Sequence, residues 1–167
     1  SKAVVIANQT GHRFQLVLVG DGNQFDELVA YAKKHPEDIL IHGSVPQSDI
    51  PKWLAGSHVG VLPVPDEEKF RVSSFIKLFE YMAAGMPIMA TRIRCNADLL
   101  KEDAPYVFWA EGADEASLAK ALEPIAQKKQ ELEDMGKDAL IDVQYWTWEA
   151  SARKIDAGLR SHLSNHD

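Results

Sequence analysis

The sequence holds a single cysteine, Cys95, which rules out an internal disulfide framework and a cluster of thiolate metal ligands. No apolar run approaches the ~20 residues that a membrane-spanning helix needs, and the first residues do not read as a signal peptide. The setting expected from this is cytoplasmic, with peripheral contact to a membrane as the other option. Basic residues are scarce: 18 lysines and arginines against 25 acidic residues leave a net charge of −7. A protein that grips a phosphate backbone carries a basic stripe, and the lack of one excludes nucleic acid as a partner. A nucleotide ligand stays open, because one diphosphate needs only a few local donors.

Metal chemistry also finds little support. The six histidines show no zinc-type pairing; His162 and His166 are four apart, but they sit where a terminal helix frays. There is no Asp-x-Asp pair, so no metal is expected. Internal repeats and low-complexity segments are absent as well.

What remains is an ordinary globular chain. Its 167 residues, 46% of them hydrophobic, suit one domain over residues 1–167 with a proper core. Short apolar runs alternate with amphipathic stretches. Strands are expected at Arg13–Gly20, Asp38–Gly43, Ser57–Pro65 (halted by Pro63 and Pro65), Pro87–Arg92 and Pro105–Ala110. Helices are expected at Asn23–His35, from Ser48 as a cap to Ala55, from Ser73 to Ala84, and near Ala97–Lys101. Three more follow at Asp114–Gln127, Lys129–Ile141 and Trp148–His162, with Trp146 and Trp148 packing the last one onto the body. Continuous apolar strands alternating with helices mean an α/β fold, a Rossmann-like parallel sheet with helices on both faces and a helical C-terminal segment. Lys2–Gln9 reads either way: Val4, Val5 and Ile6 favour a strand, the alanines and Asn8 a helix. If it is a helix, the sheet lacks the strand that should precede it.

The stretch Ser73–Thr91, "SSFIKLFEYMAAGMPIMAT", carries the functional reading. Ser73 and Ser74 are good caps, and Gly85 ends the helix ahead of Pro87. Phe75, Ile76, Leu78, Phe79 and Met82 cover most of the helix circumference, so it should be largely buried. Lys77 and Glu80 share one face, where they either form a local ion pair or line a cleft. The helix follows a strand, so its tip lies at the carboxyl edge of the sheet, where open α/β folds bind ligands. Main-chain N–H groups of Ser74, Phe75 and Ile76 would hold an anion there. Lys77 could add charge for a diphosphate, and Glu80, one turn deeper, could accept hydrogen bonds from ribose hydroxyls.

With its companion segments, "FQLVLVGDG", "ILIHGSVPQSDIPKWLAGSHVGVLPV" and "YWTWEASARKI", this stretch resembles the donor-binding signature of retaining glycosyltransferases of family 4, the glycosyl transferases group 1 domain of GT-B architecture. The resemblance runs in order from about residue 12 to residue 160. It implies that Glu80 is the second glutamate of a paired motif and binds the donor ribose. It further implies that Gly43 to Val45 hold the base through the main chain, and that Gly20 and Gly22 form the glycine loop beside the donor. The first motif glutamate would fall on Val72; Ser73, Lys77 and Glu80 match a Ser-x-x-x-Lys-x-x-Glu variant instead.

The family's basic pair and its catalytic histidine have no counterpart in the sequence. The expectation is therefore the donor-binding, C-terminal half of a longer two-domain enzyme, inactive by itself. The full enzyme would be a hexosyltransferase of glycan biosynthesis, of the kind that builds bacterial polysaccharide. It would move a sugar from a nucleoside-diphosphate sugar to a glycan or lipid-linked acceptor held by the other half, with retention and without cofactor or metal. Lys69 and Arg71 could assist the phosphates or form a plain surface pair.

Rival readings are a nucleotide-binding non-catalytic α/β module, a sugar-nucleotide epimerase of the same architecture, and a dinucleotide-dependent oxidoreductase. The last is disfavoured by Phe25, which stands where a dinucleotide fingerprint needs its third glycine.

Overall fold

The computed structural model of the protein describes residues 1–71 and 73–164. Among the described residues five parallel strands are flanked by helices, the α/β class expected. In chain order the elements are α1 (Lys2–Gln9), β1 (Leu16–Val19), α2 (Phe25–Ala32), β2 (Ile39–His42), α3 (Ile50–Ala55), β3 (Gly60–Leu62), α4 (Glu68–Arg71), α5 (Ile76–Ala83), β4 (Ile88–Thr91), α6 (Arg94–Ala97), β5 (Val107–Ala110), α7 (Glu115–Gln127), α8 (Leu132–Asp142) and α9 (Trp148–Ser164).

The ambiguous first segment is a helix. Ala3, Val4 and Ala7 lie at helical spacing on its buried face, which outweighs the β-branched Val4–Val5–Ile6 run. The strands form two separate sheets, β1-β2 and β3-β4-β5, each wholly parallel. Leu16 pairs with Ile39 in the first; Gly60 pairs with Ile88, and Ile88 with Val107, in the second.

The core sits on the three-stranded sheet. All four residues of β4 are buried, as a central parallel strand requires. α5 lays Leu78 and Met82 against it, almost fully buried, each worth about 2 kcal/mol of removed apolar surface. α7 packs on β4 and β5 and buries Ala119, Ala121, Leu122 and Ile125. It starts on Asp114, whose carboxylate accepts hydrogen bonds from the Ala116 and Ser117 main-chain N–H groups.

α8 packs on α5 through a glycine contact. Gly85, at φ +67°, ends α5 in the left-handed region, as the sequence suggests. Gly136 of α8 lies so close to it that a Cβ there would stand 1.9 Å from the Gly85 carbonyl oxygen. A second close approach sets Gly60 of β3 against the Tyr81 ring, with 2.3 Å left for a Cβ. Burial of that phenol raises its pKa.

Several expectations are corrected. Ser48 does not cap α3: Gln47–Asp49 form a short 3₁₀ turn, and the helix proper starts after Asp49. The helix expected near Ala97–Lys101 lies earlier, at Arg94–Ala97, because Asn96 is drawn fully inside to donate to the Thr91 carbonyl at 2.9 Å. Of the two tryptophans, Trp146 packs on Phe79 of α5, ring centroids 5.7 Å apart, with Lys154 over its face. Trp148 is 89% exposed and anchors nothing.

Candidate functional site

Three segments singled out by the sequence each follow the carboxyl end of a strand: Gly20–Gly22 after β1, Gly43–Val45 after β2, and Ser73–Glu80 beyond β3. The first two are neighbours. Gly20, at φ +143°, donates its N–H to the His42 carbonyl at 3.0 Å, so the two loops leave adjacent strand tips together. Asp21 accepts from the Gly22 N–H at 2.7 Å and shapes that turn. Only glycine is at ease with the backbone of Gly20.

Beyond β2 the chain borders a groove of about 560 Å³, lined by His42, Ser44, Val45, Pro46, Asp49, Lys52 and Trp53. The His42 and Trp53 rings lie 4.8 Å apart, and the Lys52 ammonium meets Asp49 at 3.0 Å. Val45 is thus at a concave surface, while Gly43 backs onto Phe25, 3.9 Å from where its Cβ would be. His42, Trp53 and Lys52 were not anticipated here. The signal available was the placement of an imidazole directly before Gly43 and of an indole on the one helix that follows.

The third segment differs from expectation at its tip. Ser73 and Ser74 do not cap α5; Phe75 is the residue before the helix, and no side chain caps it. The reason is local. Glu68–Arg71 form the separate turn α4, and the Ser73 hydroxyl donates back to the Lys69 carbonyl at 3.0 Å. The helical N–H groups therefore begin at Ile76 rather than at Ser74. Val72, where the first motif glutamate would fall, and His166 lie outside the described residues.

Lys77 and Glu80 pair with each other, Nζ to carboxylate 2.8 Å, and Glu80 is the more sheltered at 30% exposure. Of the two outcomes the spacing allowed, the ion pair is the one that forms. Glu80 is not part of the groove beside His42. Other cations near these strand tips are matched too. Lys69 meets Glu67 at 2.7 Å, Arg71 meets Asp66 at 2.9 Å, and Arg92 bridges Glu102 and Glu111 while lying over Trp109.

What positions the loop after β3 is buried and polar. The Thr91 hydroxyl, fully enclosed, donates to the Val64 carbonyl at 2.6 Å, and Asn96 braces Thr91 from behind. This pair ties the segment leading toward α4 and α5 to the end of β4. Neither residue was marked by the sequence, since a threonine ending an apolar strand looks like any other.

With that geometry in hand, the likeness to known proteins is decisive in one respect. Residues 2–128 match the family described as glycosyl transferases group 1. The chain belongs to that family. No curated protein matches the sequence significantly. Among solved structures it is similar to sucrose-phosphate synthase from Thermosynechococcus elongatus, with TM-score 0.73 and 19% identity over 98% of this chain and 42% of that one. It also resembles Anabaena Alr3699/HepE in complex with UDP-glucose, with TM-score 0.71 and 18% identity over 95% and 44%. A third likeness is to the catalytic domain of cholesterol-alpha-glucosyltransferase from Helicobacter pylori, with TM-score 0.66 and 17% identity over 87% of each chain. At such identities the likeness is one of fold, that of half a GT-B glycosyltransferase. The chain spans less than half the length of the synthase and of the Anabaena protein.

Proposed function

We propose that this chain is the donor-binding half of a two-domain glycosyltransferase that moves a hexose from a nucleoside-diphosphate sugar to an acceptor, with retention and without a metal. The observation that carries the reading is the convergence of family and topology. A group 1 glycosyltransferase sequence places its glycine loop, its Gly43–Val45 loop and its Lys77–Glu80 helix each after the carboxyl end of a parallel strand, the edge at which open α/β sheets take ligands. The Anabaena relative of the same fold carries UDP-glucose, which makes a uridine nucleotide the first donor to test.

In this reading the base lies along Gly43 and Val45, beside the groove that runs on to His42 and Trp53. Gly20 and Gly22 let the main chain approach the donor closely. Glu80 accepts from the ribose hydroxyls. Lys77 turns from Glu80 to the diphosphate, aided by the main-chain N–H groups of the first turn of α5. Ser73, Ser74 and Phe75, just ahead of that turn, border the phosphates rather than cap the helix. As the sugar leaves, negative charge grows on the diphosphate, and these fixed donors stabilise it. The acceptor, a glycan or lipid-linked molecule, and the catalytic histidine belong to the other half.

The test is calorimetric titration of the chain with UDP, GDP and ADP. One of them binds, and Glu80→Ala weakens it at least tenfold while circular dichroism stays unchanged. Equal affinity in the variant would remove the ribose role from Glu80.

A further inference from the structure

The groove beyond β2 holds more side-chain chemistry than a base bound through the main chain requires. Two rings and one ion pair stand in it together. His42 ends β2 and Trp53 belongs to α3; their ring centroids are 4.8 Å apart, with the planes tilted by 56°. Rings in such contact leave no room for a third between them, so they present one joint aromatic surface. Asp49 and Lys52 meet at 3.0 Å, with side chains 40% and 81% exposed. Asp49, Lys52 and Trp53 follow the i, i+3, i+4 spacing that makes side chains neighbours on one helix face. Val45 borders the same groove.

The ion pair has no evident structural duty. Asp49 stands directly before α3, yet its side chain caps no N–H of that helix. The Lys52 ammonium takes Oδ1, and among the described residues no donor meets Oδ2. A pair so open to water adds little to stability. What it does provide is an acceptor-only group beside a donor-only group, next to a surface on which a flat heterocycle can stack.

We propose that this groove selects guanine, so that the donor is a guanosine-diphosphate sugar. Asp49 and Lys52 read the base, and His42 and Trp53 give it a stacking surface. The inference rests on the donor-binding reading above, in which the base lies along Gly43 and Val45. The pairing edge of guanine offers one acceptor, O6, and then two donors, N1–H and the 2-amino group. Lys52 donates to O6, and the two Asp49 oxygens accept from N1–H and the 2-amino group, while lysine and aspartate stay beside each other. Charge-assisted bonds of this kind are the strong ones. Uracil and adenine each carry a single donor group on that edge and leave one carboxylate oxygen unmatched. A site built to hydrogen-bond a group discriminates against the analogue that lacks it. The UDP-glucose of the Anabaena protein does not set the base here, because at 18% identity the likeness is one of fold.

Calorimetry on the 167-residue chain with GDP, IDP, UDP and ADP tests this. IDP differs from GDP only in lacking the 2-amino group. GDP is expected to bind at least tenfold more tightly than each of the other three. Asp49→Asn brings GDP to within threefold of IDP, and Trp53→Leu weakens GDP at least tenfold with circular dichroism unchanged. If the Trp53 variant fails to fold, the ratio of GDP to IDP still decides, since it needs no substitution. Equal affinity for GDP and IDP, or UDP or ADP bound as tightly as GDP, overturns the choice of guanine and leaves the donor site standing. Binding of none of the four overturns the donor reading and this inference with it.

Discussion

Lys77 and Glu80 hold each other across one turn of α5, 2.8 Å from ammonium to carboxylate, with the lysine 58% and the glutamate 30% exposed. A pair so open to water contributes about 0–1 kcal/mol, and lysine ahead of glutamate is the weaker order on a helix. The pair is therefore cheap to break, and a ligand offering an anion to one partner and hydroxyls to the other can separate them. Lys77→Ala is expected to leave the unfolding midpoint within a degree or two. The same change weakens nucleoside-diphosphate binding several-fold and flattens its dependence on salt. Calorimetry at two ionic strengths alongside thermal melts checks both halves.

Gly136→Ala tests the contact between α8 and Gly85. Alanine within a helix normally gains about 1 kcal/mol over glycine. Here the added carbon would stand 1.9 Å from a backbone oxygen, and forced overpacking costs about 1–3 kcal/mol. Sterics win, so the variant is destabilised. A chemical-denaturation midpoint equal to or above that of the parent would contradict the geometry.

Asp114 should confer a pH-dependent stability on α7. The Ser117 hydrogen bonds, with that from the Ala116 N–H, hold its carboxyl below the ordinary value of 3.8. A carboxylate whose pKa is depressed by folding stabilises the native state above its unfolded pKa, and that contribution fades as pH falls through the lower folded value. Asp114→Asn is thus less stable than the parent at pH 7, and the gap closes below about pH 3.8. A gap that persists undiminished in acid would mean that the charge contributes nothing.

Asn8→Ala removes three hydrogen bonds that fasten α1 to Phe14 and Asp38. Leaving partly buried partners unpaired costs about 1–3 kcal/mol. The loss should appear first as faster amide exchange in β1 and β2 rather than in β4, which exchange mapped by mass spectrometry would resolve.

The alternation of strands and helices was legible because each short apolar run is bounded by glycine or proline, and Gly85 marks the end of α5 on sight. The tip of α5 was not, because Ser73 had two offers. The cap of the next helix competed with the Lys69 carbonyl behind it, and the short turn α4 decided the matter. Trp146 and Trp148 look alike in sequence, yet only one faces Phe79, since the extended Thr147 turns the chain between them. The division of the sheet lies beyond any local pattern. Which strand pairs with which is a long-range choice, and Lys2–Gln9 reads either as strand or as helix until the burial of Ala3, Val4 and Ala7 decides it. At the candidate site the sequence named the loops and Glu80. It did not name Thr91, whose partner Val64 is 27 residues away, nor Asn96, which acts through Thr91.

The glycine contact between α5 and α8 also decides where α5 can yield. At its carboxyl end the helix is clamped: Gly85 is wedged under Gly136, and Met86 is almost wholly enclosed. At its amino end no side chain caps it, and Ile76 stands 71% in solvent. From Leu78 onward the helix is fastened to the sheet, so only Ile76 and Lys77 of its first turn stand out in solvent.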